Sequence, residues 1–311
     1  MPAEDSRATA PLDVQEVPRV TFGQHELVCK GEDRMDARQV VIAGEAVYLA
    51  LIADGHGGEE AADLCKKCLF DYFLDAAESA DAQILRRAAR SSFERLHEDV
   101  LALSPPTTSG STLTLCVLNP TRREITCAHV GDSVAILVPA VNKALPMELC
   151  EDHRIDSSEH ERTRLKTMGG HIAHAKDSRG QPGGPLRLWP GGVAQARTIG
   201  DSDIGEYNDP RPHTATFPFP TFCDCFDIVV ASDGVWDALL RSRVATICRK
   251  TGDCTAGATA RLIVNASLQQ RHAYDNQDMQ VPKDDTSCIV LRVGDFDMVR
   301  SVRRKSSCFG C

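Results

Sequence analysis

Several absences narrow the field before any motif is considered. No apolar run is long enough to span a bilayer, and nothing at the start reads as a signal peptide, so no integral membrane segment is expected. There is no basic excess: 35 Lys and Arg stand against 44 Asp and Glu, a formal net charge of -9. That balance argues against a nucleic-acid partner and, with no basic stripe, disfavours a metal-dependent nuclease. Pairs of cysteines at zinc spacing are also missing. Cys65-x-x-Cys68 falls in a helix-like stretch and Cys223-x-Cys225 in a loop, and neither has a partner pair. The remaining thiols (Cys29, Cys116, Cys127, Cys248 and Cys288 among them) are scattered through apolar segments without a secreted-domain framework. Reduced thiols in cytoplasm or nucleus are the expectation.

What is present is ordinary globular composition, 42% hydrophobic and 25% charged, over 311 residues, enough for one large α+β domain or two smaller ones. Residues 1–18 are rich in Pro, Ala and acids with no apolar period and read as a disordered leader. A first strand is expected within 20–29. A hairpin of residues 39–43 and 47–53 then delivers the chain to Asp54-Gly55-His56-Gly57-Gly58. Helical spacing over 59–76 and 80–103 predicts two amphipathic helices, each needing a sheet to cover. Strands are expected at 111–118, 124–130, 134–138, 226–232 and 288–293, and further helices from about 235 and over 255–270. Residues 151–170 read as a polar helix and 173–192 as a Gly/Pro-rich flap of irregular structure. Clustered strand runs with tight turns favour packed antiparallel sheets flanked by helices over a parallel βαβ sheet.

Four times an apolar strand meets an aspartate at a polar or glycine-rich turn: Asp54, Asp132, Asp233 and Asp284. Glu32 and Asp33 add a fifth acidic corner. Facing sheets bring strand ends together, so these acids are expected in one cleft. Carboxylates ~4–6 Å apart repel and partly protonate unless a cation neutralises them. All-oxygen ligation selects Mg²⁺ or Mn²⁺ over zinc. Two such ions ~3.5–4 Å apart can hold a water that attacks phosphorus in line. His56 is placed to protonate a departing alkoxide. Any one of these aspartates alone would read as a strand-terminating turn.

Taken in order, KGED (Lys30 to Asp33), LIADGHGG (Leu51 to Gly58), SGSTLTL (Ser109 to Leu115), AHVGDS (Ala128 to Ser133), EDH (Glu151 to His153), the double glycine at Gly169-Gly170, ARTIGD (Ala196 to Asp201), VVASDGVWDAL (Val229 to Leu239) and KDDTSCIV (Lys283 to Val290) resemble the metal-dependent Ser/Thr protein phosphatases of the type 2C family. The likeness covers roughly residues 20–295. It implies a four-layer α-β-β-α sandwich of two antiparallel sheets flanked by helices, with a flap at about 150–192 inside a domain of 19–296. It also implies two Mn²⁺ or Mg²⁺ ions and a phosphoprotein substrate. By position, Asp54 matches the bridging ligand and Gly55 a backbone carbonyl ligand. Asp233 and Asp284 match further ligands, and Glu32 and Asp33 the acids that hold metal-bound waters. His56 matches the general acid. Asp132, with Asp233, matches the holder of a weaker third ion, and Asp237 an acid behind it. Asp36 competes with Asp33, and Asp284 is preferred to Asp285. Where many relatives carry a phosphate-binding Arg, this chain has Leu27, Val28, Cys29 and Lys30, so Lys30 is the candidate there, without the bidentate grip of a guanidinium.

The tail 297–311 is basic and carries Cys308 and Cys311. Acylation there beside the positive cluster would supply the two signals of peripheral membrane attachment. The chain is otherwise expected to be a monomeric phosphatase. The competing reading is a phosphatase-like binding or scaffold protein, which would be expected to have lost an aspartate or the histidine; none of the matched positions is missing.

Overall fold

The structure, a computed structural model, describes residues 16–176, 180–252, 254–274 and 284–296. Residues 1–15 of the expected leader and the whole 297–311 tail, with Cys308 and Cys311, lie outside the described residues. The chain opens with three strands, β1 (Val20–Leu27), β2 (Asp33–Ile42) and β3 (Glu45–His56), then helices α1 (Glu60–Ala76) and α2 (Ala82–Leu101). Next come β4 (Gly110–Ser111), β5 (Leu113–Asn119), β6 (Glu124–Val130), β7 (Val134–Pro139) and β8 (Met147–Glu148). The flap region holds α3 (Glu159–Thr167), β9 (His171–Lys176) and β10 (Pro182–Trp189), and β11 (Ile199–Gly200) and β12 (His213–Pro218) follow. The chain continues through β13 (Phe226–Ala231), α4 (Asp233–Trp236), α5 (Arg241–Lys250), α6 (Ala256–Tyr274) and β14 (Thr286–Val293).

Two antiparallel sheets fill the middle, as expected. One runs β1-β14-β13-β7-β8; the other runs β11-β4-β3-β5-β6-β12, with β2 paired to β3. The pattern of β3 explains the layering. Ala50 and Ile52 point into the core shared by the two sheets, whereas Leu49, Leu51 and Ala53 point to the opposite face, against α1 and α2. Both faces are buried, so the strand reads as a continuous apolar run instead of an alternating one. On the far side, α5 and α6 cover the first sheet through Val244, Ala245, Cys248, Ala260, Ile263 and Val264. The order is helix, sheet, sheet, helix.

The flap differs from the irregular segment expected. β9 and β10 form an antiparallel hairpin whose register shifts between Pro182 and Leu186. Leu165 and Leu188 are buried in a small separate core with Ile155, Val193, Ala196 and Ile204, and Ile172 and Leu186 pack against it. Gly184 falls at the register shift within β10 and Gly191 and Gly192 at the turn after it, a pattern that composition alone reads as loop. The helix expected over 151–170 is confined to Glu159–Thr167, starting at Ser158, whose side chain caps the Glu161 N–H. The helix expected from about 235 is divided into α4 and α5. Strand β12 was not anticipated; it is short and only half-buried.

Strand polarity sets the location of the acids. β2 begins, β3 and β6 end, β7 begins, β13 ends and β14 begins at one edge of the sandwich. At that edge the chain passes from β6 in one sheet to β7 in the other through Gly131-Asp132-Ser133. Among the described residues, no helix is long and apolar enough to cross a membrane.

Candidate active site

At this edge opens a cleft of about 840 Å³, lined by Lys30, Asp54, Gly55, His56, Asp132, Asp233, Asp237 and Asp284. Asp33 stands behind Asp54 as its cross-strand partner and is buried. Glu32 is spent locally: its Oε1 accepts the Gly58 N–H at 3.0 Å, and its backbone oxygen accepts the Gly55 N–H at 3.2 Å. A Cβ on Gly55 would meet that oxygen at 2.6 Å, so only glycine lets the two strands close here. Gly234 is required for the same reason, since a Cβ there would fall 2.1 Å from the Asp285 carbonyl.

Two choices left by the sequence are separated by strand geometry. Asp33 and Asp36 are three apart on β2 and therefore face opposite sides of the sheet. Asp36 pairs with Arg38, whose guanidinium lies over the Phe70 ring of α1 at 4.6 Å, away from the cleft. Of the second pair, Asp284 faces the cleft and holds Lys30 Nζ at 2.9 Å. Asp285 turns the other way and accepts five consecutive backbone N–H groups, those of Cys29, Lys30, Gly31, Glu32 and Asp33. Burial alone would raise its pKa; the N–H groups of Asp33, Cys29, Lys30 and Gly31 outweigh it and hold the carboxyl at about 2. Asp285 builds the loop that carries Lys30, Glu32 and Asp33.

The cleft acids are mutually strained. Asp54 is pushed well above the carboxylate range by burial and by Asp33, Asp233, Asp132 and Asp284. Burial, then Asp132, Asp237 and Asp284, lift Asp233 to about 7, against a lowering by Arg154. Asp33 rises to about 6, chiefly through burial, with the hydroxyls of Ser287 and Ser232 offsetting part of the shift. Asp33 Oδ2 and Asp132 Oδ1 are buried without a hydrogen-bond partner. Among the described residues, no three of these side chains already stand at ligand geometry. The donor set nonetheless fits a hard divalent cation: all oxygen, crowded, and repelling until a positive charge enters. Lys30 feels the same field. Burial opposes its charge, but Asp284, then Glu32 and Asp54, more than compensate and raise its pKa.

His56 lies beside the acids and is gripped from elsewhere. Its Nε2 stands 2.9 and 3.0 Å from the two oxygens of Asp201. Asp201 is itself buried and accepts from the Thr198 hydroxyl. Burial works against protonation of His56, and Asp201 outweighs it, so the pKa is raised. Sequence reading passed over Asp201, although ARTIGD was noted; its position after a glycine at a strand end was the available signal. Arg154 and Gln195 were missed too. Arg154 donates through Nε to Asp132 at 2.7 Å, and Gln195 Nε2 reaches the same oxygen at 2.9 Å.

Comparison with known proteins identifies the family. The family described as Protein phosphatase 2C matches residues 32–279. "Probable protein phosphatase 2C 5" of Arabidopsis thaliana is 32% identical over 288 residues, covering 89% of this chain and 63% of that protein. "Probable protein phosphatase 2C 33" of Oryza sativa subsp. japonica is 31% identical over 288 residues, covering 89% and 62%. The chain thus spans under two thirds of the length of these relatives. Among solved structures, a serine-threonine phosphatase 2C from Toxoplasma gondii superposes with a TM-score of 0.73 at 16% identity, covering 91% of this chain and 98% of that one. A C. elegans sex determining protein gives the same TM-score at 21% identity, covering 88% and 64%. At these identities the structural likenesses show the fold; sequence and fold together establish that the chain belongs to the protein phosphatase 2C family.

Proposed function

We propose that the chain hydrolyses phosphoserine and phosphothreonine in phosphoproteins, using water supplied at a pair of Mn²⁺ or Mg²⁺ ions and forming no covalent intermediate. The observation that carries this reading is the convergence of Asp54, Asp132, Asp233 and Asp284 from both sheets on one cleft, where burial and the neighbouring acids raise the carboxyls of Asp54 and Asp233. Asp54, the Gly55 carbonyl, Asp233 and Asp284 are the residues that would hold the ions, with Asp33 buried behind Asp54. Bound there, the ions would neutralise the phosphate and acidify a water. Among the described residues no cysteine lines the cleft, which favours direct hydrolysis over attack by a thiolate.

The remaining work falls to the chain's own side chains. Lys30 offers a positive charge to the phosphate at the mouth of the cleft, in exchange for Asp284. His56, with Nε2 engaged by Asp201, gives up its Nδ1 proton to the departing serine or threonine oxygen. The cleft is open enough for a phosphorylated side chain on a protein surface.

The test is hydrolysis of p-nitrophenyl phosphate and of a phosphopeptide with Mn²⁺, Mg²⁺ or EDTA. We expect EDTA to abolish turnover and Asp233→Asn to reduce it at least a hundredfold. Activity surviving both would overturn the reading. His56→Ala should cost more with the phosphopeptide than with p-nitrophenyl phosphate, whose leaving group needs little protonation.

A further inference from the structure

Arg154 enters the cleft from the neck of the flap. Its backbone is bridged to Gln195, the strand pair that closes that neck. The guanidinium is then shared among three acids. Nε donates to Asp132 Oδ2 at 2.7 Å, Nη1 pairs with Asp237 Oδ1 at 2.8 Å, and Nη2 reaches Asp233 Oδ2 only at 3.5 Å. The Asp132 oxygen it meets also accepts from Gln195.

These contacts divide the cleft in two. On the side of Asp54 and Asp284, the one cation among the contacts described is Lys30, on a flexible stem with its side chain 47% exposed and readily withdrawn. On the side of Asp132 and Asp237, the positive charge is a guanidinium that cannot be deprotonated and is fixed by the backbone at its base. All three of its nitrogens face carboxylates, so turning to clamp a phosphate would weaken its hold on these acids. A divalent ion entering this corner would have to break those contacts and then sit beside a positive charge. Asp233, held only weakly by Arg154, stays available to the other side.

We propose that Arg154 is a tethered cation that takes the Asp132–Asp237 corner in place of a free divalent ion and latches the flap neck to the cleft. The chain therefore binds two ions tightly and leaves no room for a third. The proposal rests on the metal-dependent reading above, and its test separates the two.

Mn²⁺ binding to the full chain is counted by calorimetry and by electron paramagnetic resonance of free Mn²⁺, for wild type, Arg154→Met and Arg154→Met/Asp132→Asn, with folding checked by circular dichroism. Wild type should bind two ions. Arg154→Met should bind a third at least tenfold more tightly than wild type does, and the double variant should lose it. Hydrogen exchange of residues 155–196 should quicken in Arg154→Met. A stoichiometry unchanged by Arg154→Met overturns the inference while leaving two-ion binding intact. No Mn²⁺ binding in any protein removes both readings. Should Arg154→Met fail to fold, wild type alone decides: a third Mn²⁺ bound below ~1 mM, the ceiling for ordinary weak protein cation sites, overturns the proposal.

Discussion

Asp201 is the residue on which the proposed proton transfer turns. It comes from a segment 145 residues away from His56 and fixes the ring through both carboxylate oxygens. No local pattern announces such a pair, because nothing in either stretch requires the other. Asp54, by contrast, was legible, since a long apolar run ending in Asp-Gly-His-Gly-Gly leaves few places for the acid other than a strand end. Arg154 escaped for the same reason as Asp201: its three partners are contributed by the β6–β7 turn and by α4 with the residue that follows it. Replacing Asp201 by Asn keeps a hydrogen-bonding group and removes the charge that favours a protonated His56. We expect phosphopeptide turnover to fall roughly tenfold to a hundredfold, within the range of a general acid's contribution, with a smaller loss on p-nitrophenyl phosphate and unchanged Mn²⁺ stoichiometry. Equal losses on both substrates would remove Asp201 from proton transfer.

Segment 149–158 shows how tertiary contacts override local preference. Its polar composition suggests helix, yet His153 ties it to the turn between β6 and β7. His153 donates its N–H to the Gly131 oxygen and accepts the Gly131 N–H at Nδ1, and its carbonyl accepts from Ala196. A helix there would surrender all three bonds. Stacked on His129 at 4.5 Å, His153 must remain neutral. Burial, then His129, Arg197 and other neighbouring positive groups, depress its pKa to about 2. In the unfolded chain the value is about 6.5. Between those limits the unfolded state binds the extra proton, so the stability owed to His153 is complete above about pH 6.5 and is lost as pH falls. Denaturant midpoints at pH 7.5 and 5.5 should show wild type losing about 1 kcal/mol more than His153→Gln over that interval. His129, whose pKa is raised, opposes this in both proteins. Matching pH dependence would show that His153 titrates normally. The β9–β10 hairpin makes a related point: Ile172, Leu186 and Leu188 supply too few apolar positions to stand out among glycines and prolines, but enough to pack on Leu165 and Ile155.

Across the whole molecule, the two sheets were legible because their central strands, β3, β5, β6, β7, β13 and β14, are buried on both faces, and such runs survive uncertainty about their ends. Which strands are neighbours was not, since pairing depends on contacts far apart in sequence. The acids proposed to hold the ions straddle that pairing, with Asp54 on one sheet and Asp233 and Asp284 at the ends of the other. Ions held between them would act as a clasp. A ligand binding only the folded state adds about 2.7 kcal/mol of stability per site at a hundredfold excess over Kd. Mn²⁺ should therefore raise the melting temperature and EDTA reverse it. Asp233→Asn should blunt that rise and stabilise the metal-free protein, because it removes one charge from a repelling cluster. A melting temperature indifferent to Mn²⁺ would contradict the clasp.

The place of β14 has a consequence in time. It lies between β1 and β13, so the first described strand has no neighbour in its sheet until residues 286–293 are available, more than 250 residues later. Closing so long a loop is slow compared with forming the α1–α2 pair or the β5–β6 hairpin. During synthesis, the nascent chain would carry Asp54, Asp132 and Asp233 on partly assembled layers while β1 waits. Only the emergence of β14 seats β1, delivers Asp284 and ties down the Lys30 loop through Asp285. On the proposed function, competence for catalysis would arrive with assembly in one late step, and a ribosome-bound chain would remain silent until then.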